Sequence, residues 1–416
     1  MSLIGLADPR KRRAGGFVLA TMVISATVLL AIVGLAVDTG YLQLVKTRMQ
    51  AAADAAAIGG VQEIMQNGAG HVVSAAKADA ALNGFTDGVN CVTITVNHPP
   101  ASGSYTSDQT GVEAIVSQNV GPFFMRLLGF TSVNVRARAV ARQGSGANCF
   151  YALDPHAASA FSASGASAVH IGGGVMVESS SATALVATGG AHVTAASFTV
   201  VGNYFVDTSG ASVTPAPATH ALPSGDPLAY LTPPAAGGAC LQTNYSIGNG
   251  LTSTIDPGVY CHGITIKGGA HITMNAGTYV LRGGGLTVSN GATLHGTGVT
   301  FYNTQASGYT YAAVSLLGGV AVQLTAPTTG SLAGILFFQD RSVASGLQNT
   351  FSNGSTSVFN GSLYFPTTAL SYSGGAAGLY TIIVAKTVSF SGGITLNNDY
   401  SSLPGGSPVK DATLSE

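Results

Sequence analysis

The sequence predicts a mainly β chain in which an N-terminal transmembrane helix and stalk lead into a small α+β module and then a right-handed parallel β-helix. Three observations carry this. Residues 17–37 hold no charged side chain, and Arg10, Lys11, Arg12 and Arg13 stand just before them. Charged residues make up only 8% of the 416, while glycine alone numbers 56, a mixture that favours strands and tight turns over charged-surface helices. Behind recurring Gly-Ala pairs stand short alternating apolar runs, with 25 residues from Ala166 to Ala191, 20 from Ala191 to Ala211 and 22 from Ala270 to Ala292.

The apolar run comes first. At 1.5 Å per residue it matches a hydrocarbon core of about 30 Å. The basic cluster before it places residues 1–16 in the cytoplasm and everything beyond Asp38 outside, by the positive-inside rule. A cleaved signal peptide is the competing reading, with Gly34 and Ala36 as small residues at a cleavage spacing. The run exceeds the roughly 7 to 15 residues of a signal h-region, which favours a retained anchor.

Residues 38–68 read as a stalk helix, Ala-rich until Gly68 and Gly70 stop it. Leu42, Val45, Met49, Ala52, Ala56 and Gly59 fall at spacings of three and four, a narrow face of mostly small side chains suited to close helix packing, on the next domain or within an assembly. The order of features here is specific: basic patch, apolar span, Val37-Asp38-Thr39-Gly40-Tyr41, then Gln50-Ala51-Ala52-Ala53-Asp54-Ala55-Ala56-Ala57-Ile58-Gly59-Gly60. It resembles the N-terminal region of the TadG-like (TadE/TadG-type) proteins of Flp pilus assembly and tight adherence, with Asp38, Gly40, Gln50, Ala53, Asp54 and Gly59 on the motif. Prepilin-like members carry a Glu at the fifth position after processing. Counted from Phe17 that position is Thr21, so the resemblance is to the non-pilin branch. It implies a single-pass protein of the bacterial inner membrane whose C-terminal bulk is periplasmic or extracellular, with pilus or envelope proteins as partners.

Residues 69–145 mix a helix over 72–82, alternations at Val92, Ile94 and Val96 and at Val112, Ala114 and Val116, a helix near 123–128 and a strand over 133–140. That suits one sheet with one or two helices on a face. Arg136, Arg138 and Arg142 alternate along the last strand and read as solvated surface. Four cysteines in an exported chain suggest disulfides. Cys240 and Cys261 would close a loop of about twenty residues, leaving Cys91 and Cys149 for each other, with free buried thiols as the alternative. None has the paired spacing of a zinc site.

Residues 146–400 carry the repeat, and 401–416 read as a flexible tail. Pro-Gly-Val-Tyr at Pro257 returns as Ala-Gly-Thr-Tyr at Ala276, and Ile264-Thr265-Ile266 and Leu286-Thr287-Val288 lie between glycines. One such coil cannot bury its inward Val, Ile and Leu, whereas stacked coils bury a continuous column and pair their strands. A jelly roll or sandwich is the rival. Residues 215–234, rich in proline, read as a long loop crossing the outside. Gly334-Ile335-Leu336-Phe337-Phe338-Gln339-Asp340-Arg341 and Gly361-Ser362-Leu363-Tyr364-Phe365-Pro366 also resemble the C-terminal part of β-helix-bearing TadG-like proteins.

Signals for chemistry are thin. A net charge of -1 removes the electrostatic basis for a nucleic-acid partner. No nucleophile elbow, phosphate loop or zinc-protease motif occurs, and Gly172 to Gly174 and Gly283 to Gly285 read as solenoid corners. Glycosidic hydrolysis needs two carboxyl groups a few ångströms apart. The acids beyond residue 148 (Asp154, Glu178, Asp207, Asp226, Asp256, Asp340 and Asp399, with Asp411 and Glu416 in the tail) show no same-face pair one coil or two residues apart with an accompanying Arg or Lys, and Asp340 beside Arg341 reads as a turn or a surface ion pair. His170 and His192, and His271 and His295, recur near the coil period, so stacking would line up imidazoles that bind a transition metal or simply form a wet polar face. The expectation is therefore a non-enzymatic, cofactor-free, membrane-anchored component of Flp/Tad pilus assembly or tight adherence. Its β-helix would act as a spacer or interaction domain, with carbohydrate a further candidate partner. A surface adhesin unrelated to pili and a polysaccharide-active β-helix enzyme are the alternatives.

Overall fold

The computed structural model describes residues 11–343, 346–352, 356–375 and 377–416, so Arg10 of the basic patch lies outside the described residues. The chain divides into two compact units, residues 1–143 with 412–416, and residues 144–411.

The first unit is built on one helix, α1 (Lys11–Asn67), of 57 residues. Span and stalk are one continuous helix, the stalk carrying on from the anchor, since Ala, Leu and Val dominate and no proline interrupts the hydrogen-bond ladder. Side chains along residues 18–37 are almost all exposed, as a lipid-facing helix requires, while Met49, Ala52, Ala53, Ala56, Ala57 and Val61 are fully buried. The small-residue face thus packs on its own module. Helix α1 ends where Gly68 takes φ 82° and its N–H bonds the Ile64 carbonyl, a left-handed stop that a side chain would resist. Helix α2 (Val72–Leu82) then packs back on α1.

Three antiparallel strands follow, β1 (Val92–Asn97), β2 (Gly111–Val120) and β3 (Val133–Ser145), with β2 central. Their alternate residues Ile94, Val112, Ala114, Val116, Ala137 and Ala139 close the core under α1 and α2. The helix expected near 123–128 is a single 3₁₀ turn, Met125–Leu128. The C-terminus departs from expectation. Instead of a flexible tail, Lys410–Leu414 forms a fourth strand beside β3, and Val140 and Glu416 exchange backbone bonds of 2.7 and 3.2 Å. An open edge on β3 would leave its N–H and C=O groups unpaired, and the chain end supplies them.

The second unit is a parallel β-solenoid of about 11 turns. Coil length varies: 19 residues from Thr252 to its partner His271, 22 from His271 to Thr293, 28 from Thr293 to Ala321. In the repeated Gly-Ala phrase, Gly190, Gly269 and Gly291 take φ between 70° and 79° at coil corners, and Ala191, Ala270 and Ala292 are fully buried beneath them. Inside, Tyr279, Phe301 and Phe337 occupy successive coils in register, with ring centroids 5.7 and 4.9 Å apart. Such pairs contribute roughly 0.5–1.5 kcal/mol each beyond the area they bury. Gly283 to Gly285 do form a corner, all with positive φ, but Gly172 to Gly174 lie within the strand Ala168–Val177, where a Cβ would meet Asn398 at Gly172, Cys149 and Ala147 at Gly173, and Asn148 at Gly174.

The stacking order is not the chain order. Coils run in sequence from Gln242–Ile247 to Ile394–Leu396, and the coils of residues 148–214 then stack beyond that last one: Thr381–Ser391 pairs with Asn148–Ala152 and Phe161–Ser164. Ser212–Thr214 and Gln242–Ile247, neighbours in sequence, therefore sit at opposite ends of the stack. Residues 215–241 have to travel its length on the outside.

Candidate functional site

In the first unit the motif residues sit where α1 meets its module. The buried Asp38 accepts three backbone N–H bonds, from Phe123 to Oδ1 at 2.7 Å and from Phe124 and Met125 to Oδ2 at 2.9 and 2.6 Å, capping the 3₁₀ turn. Gln50 Nε2 donates to Asp54 Oδ1 at 2.8 Å, one helical turn on, and to the Arg138 carbonyl of β3 at 3.0 Å. Ala53 is fully buried. Gly59 lies so close to the Asp79 carboxyl of α2 that a Cβ would overlap it, and at the neighbouring Gly60 a Cβ would meet Val112 of β2 at 2.8 Å. Burial pushes the Asp79 carboxyl above its ordinary range. Gly40 has open space around it, and nothing in the structure explains it.

The arginine row of β3 is not uniformly solvated. Arg136 is exposed, whereas Arg138 donates to the fully buried Glu113 at 2.6 Å and to Glu416 at 2.7 Å, and Arg142 pairs with Asp108 at 2.5 Å. Glu113 also accepts from Asn97, Ala101 N–H and Ser102.

In the solenoid unit the outer segment is held along its length. Glu178 accepts from Ser224 N–H and Oγ and from Gly225 N–H. Asp226 accepts from the Tyr364 hydroxyl at 2.5 Å, and Arg341 donates to the same hydroxyl at 2.6 Å and to the Leu231 and Leu228 carbonyls at 3.0 and 2.7 Å. Arg282 bonds the Ala236 and Gly238 carbonyls, and a Cys240–Cys261 disulfide ties down its far end. Arg341 thus fastens the crossover, and Asp340 accepts from Thr304 and from the Ser342 N–H two residues on, so of the two readings of Asp340 the turn holds and the surface pair with Arg341 does not form. Cys91 is exposed, Cys149 is buried, and both are free, so the pairing expected for them is absent.

Glu178 and Asp226 line one cleft of about 400 Å³ with His156, Ser180 and Pro223. Coil spacing missed this juxtaposition because Asp226 arrives on the crossover. Burial raises both carboxyl pKa values, but their oxygens already accept the bonds that fasten the crossover. The histidines do not stack. His192 pairs with Ala168 and His170 with Thr194, and His271 faces Thr293 while Thr273 faces His295, a stagger of two residues in both cases. His170, His192 and His271 bond Thr or Ser hydroxyls of the adjacent coil at 2.8–2.9 Å, the wet-face alternative. Among the described residues no group of three His, Cys, Asp or Glu is placed to hold a metal.

A long apolar helix docked through its own polar and small residues on an α+β module, followed by a β-solenoid, defines the class. Residues 16–63 match the family model described as "Putative Flp pilus-assembly TadE/G-like". That stretch contains Asp38, Gly40, Gln50, Ala53, Asp54 and Gly59, so the N-terminal segment is similar to the Tad region of Flp pilus-assembly proteins. No curated protein and no solved structure matches the chain.

Proposed function

We propose that this chain is a non-enzymatic component of Flp/Tad pilus assembly or tight adherence, anchored in the inner membrane by residues 17–37. In this reading its solenoid stands outside that membrane as a rigid spacer or interaction domain. The observation that carries the reading is that the Tad-type segment coincides with the one helix among the described residues long and apolar enough to cross a membrane. Two polar residues inside that segment, Asp38 and Gln50, are occupied in fixing it to the module. The outward face of the stalk, with Gln43, Leu44, Thr47 and Arg48 exposed, is left for neighbours in an assembly. Ser, Thr and Asn on the solenoid surface suit envelope proteins or carbohydrate as partners.

A photo-crosslinker at Leu44 in intact cells tests the role. Capture of pilin or pilus-platform proteins is expected. Capture of wall or surface material alone would transfer the protein to the adhesin reading. Polysaccharide cleavage abolished by Glu178→Gln would transfer it to the enzyme reading.

A further inference from the structure

The segment that Asp38 caps has a feature the anchor alone does not require. Between β2 and β3 the chain reads Pro122-Phe123-Phe124-Met125-Arg126-Leu127-Leu128-Gly129-Phe130, and five of its apolar side chains are exposed, Leu127 and Leu128 at 84% and 75%. Exposed apolar residues clustered in this way mark a contact surface. Their position names the contact. Phe123 packs on Tyr41 with centroids 5.0 Å apart, just beyond Asp38. Phe124 lies across Gly34, where a Cβ would meet its ring at 2.8 Å. Phe124, Met125, Leu127 and Leu128 then line a single apolar groove with Thr27, Leu30, Ala31, Gly34 and Leu35 of α1. From Asp38 the segment thus descends alongside the helix, past residues that lie about 5 to 16 Å below Asp38 at 1.5 Å per residue.

We infer that residues 123–130 form a second membrane-embedded element, a wedge whose Leu127, Leu128 and Phe130 enter the acyl chains of the leaflet next to the module. The inference rests on residues 17–37 crossing the bilayer, since whatever solvates Thr27 to Leu35 of α1 also solvates the groove beside them. Two details fit a lipid occupant. The three leading N–H groups of the turn, Phe123, Phe124 and Met125, would be unpaired in hydrocarbon and are taken up by Asp38. Arg126, the segment's one charge, lies over Gly121 and takes no part in lining the groove, as suits a basic side chain that reaches for the headgroup layer. The wedge also fixes the height and rotation of α1 in the bilayer, which a single helix cannot do for a rigid load.

The chain contains no tryptophan, so one introduced residue reports alone. Leu128→Trp, Leu30→Trp and Phe205→Trp in the full chain, reconstituted in phosphatidylcholine vesicles, are compared with and without acyl-brominated lipid. Loss of emission at Leu128→Trp matching that at Leu30→Trp, with none at Phe205→Trp on the solenoid, is expected. Quenching at Leu30→Trp without quenching at Leu128→Trp overturns the wedge and keeps the anchor. In that case a red-shifted Leu128→Trp emission means water in the groove, and a blue-shifted one means a protein occupant such as a second copy. Absence of quenching at both positions overturns the anchor itself. Leu127→Trp repeats the test if Leu128→Trp fails to fold.

Discussion

Glu113→Gln in the full chain removes the one fully buried carboxylate that organises the module's sheet. Its partner Arg138 is one-quarter exposed, and Asn97, Ala101 and Ser102 complete the set. Burial alone would raise the Glu113 pKa, but the bonds from Ser102, Arg138, Asn97 and Ala101 outweigh it and hold the group at about 2, against an ordinary 4.5. A carboxyl depressed in the folded state stabilises above its unfolded pKa and loses that contribution as pH falls toward the folded value. The full linkage is about 3 kcal/mol. Solvent screening at the partly exposed Arg138 reduces the expected loss on substitution to ~2 kcal/mol, roughly 30-fold in local opening. Deuterium exchange into the β1–β3 amides of the detergent-solubilised chain reads this opening. At pH 7 the variant should exchange about 30-fold faster than the parent, and by pH 3 the difference should shrink by more than half, because the parent has lost most of its advantage. Equal protection at pH 7, or a difference that does not change with pH, would refute the assignment of the buried charge as a stabilising one.

Three further substitutions probe other contacts. Gly59→Leu inserts a side chain where α1 touches Asp79, and should loosen α2 by about 1–3 kcal/mol, seen as faster exchange over Val72–Leu82. Arg341→Met removes the donors to the Leu228 and Leu231 carbonyls and should speed limited proteolysis between Pro215 and Pro234, with the coil strands still protected. Removing the Cys240–Cys261 bridge, by reduction or as the double serine variant, opens a loop of sequence separation 21. It should cost about 3 kcal/mol in the chain-entropy picture, concentrated at the Gln242–Ile247 end of the stack.

Much of the first unit is legible in sequence because its elements are local. An uncharged run, an Ala-rich continuation and period-two alternations at Val92 and Val112 each announce an element from within a few residues. The solenoid is legible as a class for the same reason, since Gly-Ala corners report coil size. Coil order is not, because every coil offers similar edges and only tertiary pairing decides that Thr381–Ser391 meets Asn148–Ala152. The site residues follow the same division. Asp38 and Gln50 stand out by motif, but their partners, Phe123 to Met125 and the Arg138 carbonyl, lie far along the chain. Glu113 carries no local mark, nor does the C-terminal strand, whose pairing with β3 is visible only once that edge is known to be open. The histidine ladder failed on register: a recurrence of 22 residues from His170 to His192 is two short of the 24 that separate the paired His170 and Thr194.

Membrane anchoring with an exported solenoid is open to one labelling experiment on the native chain. Cys91 is exposed on the module, while burial pushes the Cys149 thiol up to about 11 and the remaining two cysteines are joined. A membrane-impermeant maleimide is applied to cells whose outer membrane alone has been permeabilised. Labelling of Cys91 on a protein that stays with the membrane through carbonate washing is predicted. Labelling that requires lysis of the inner membrane, or a protein released by the wash, would contradict an anchored chain facing outward.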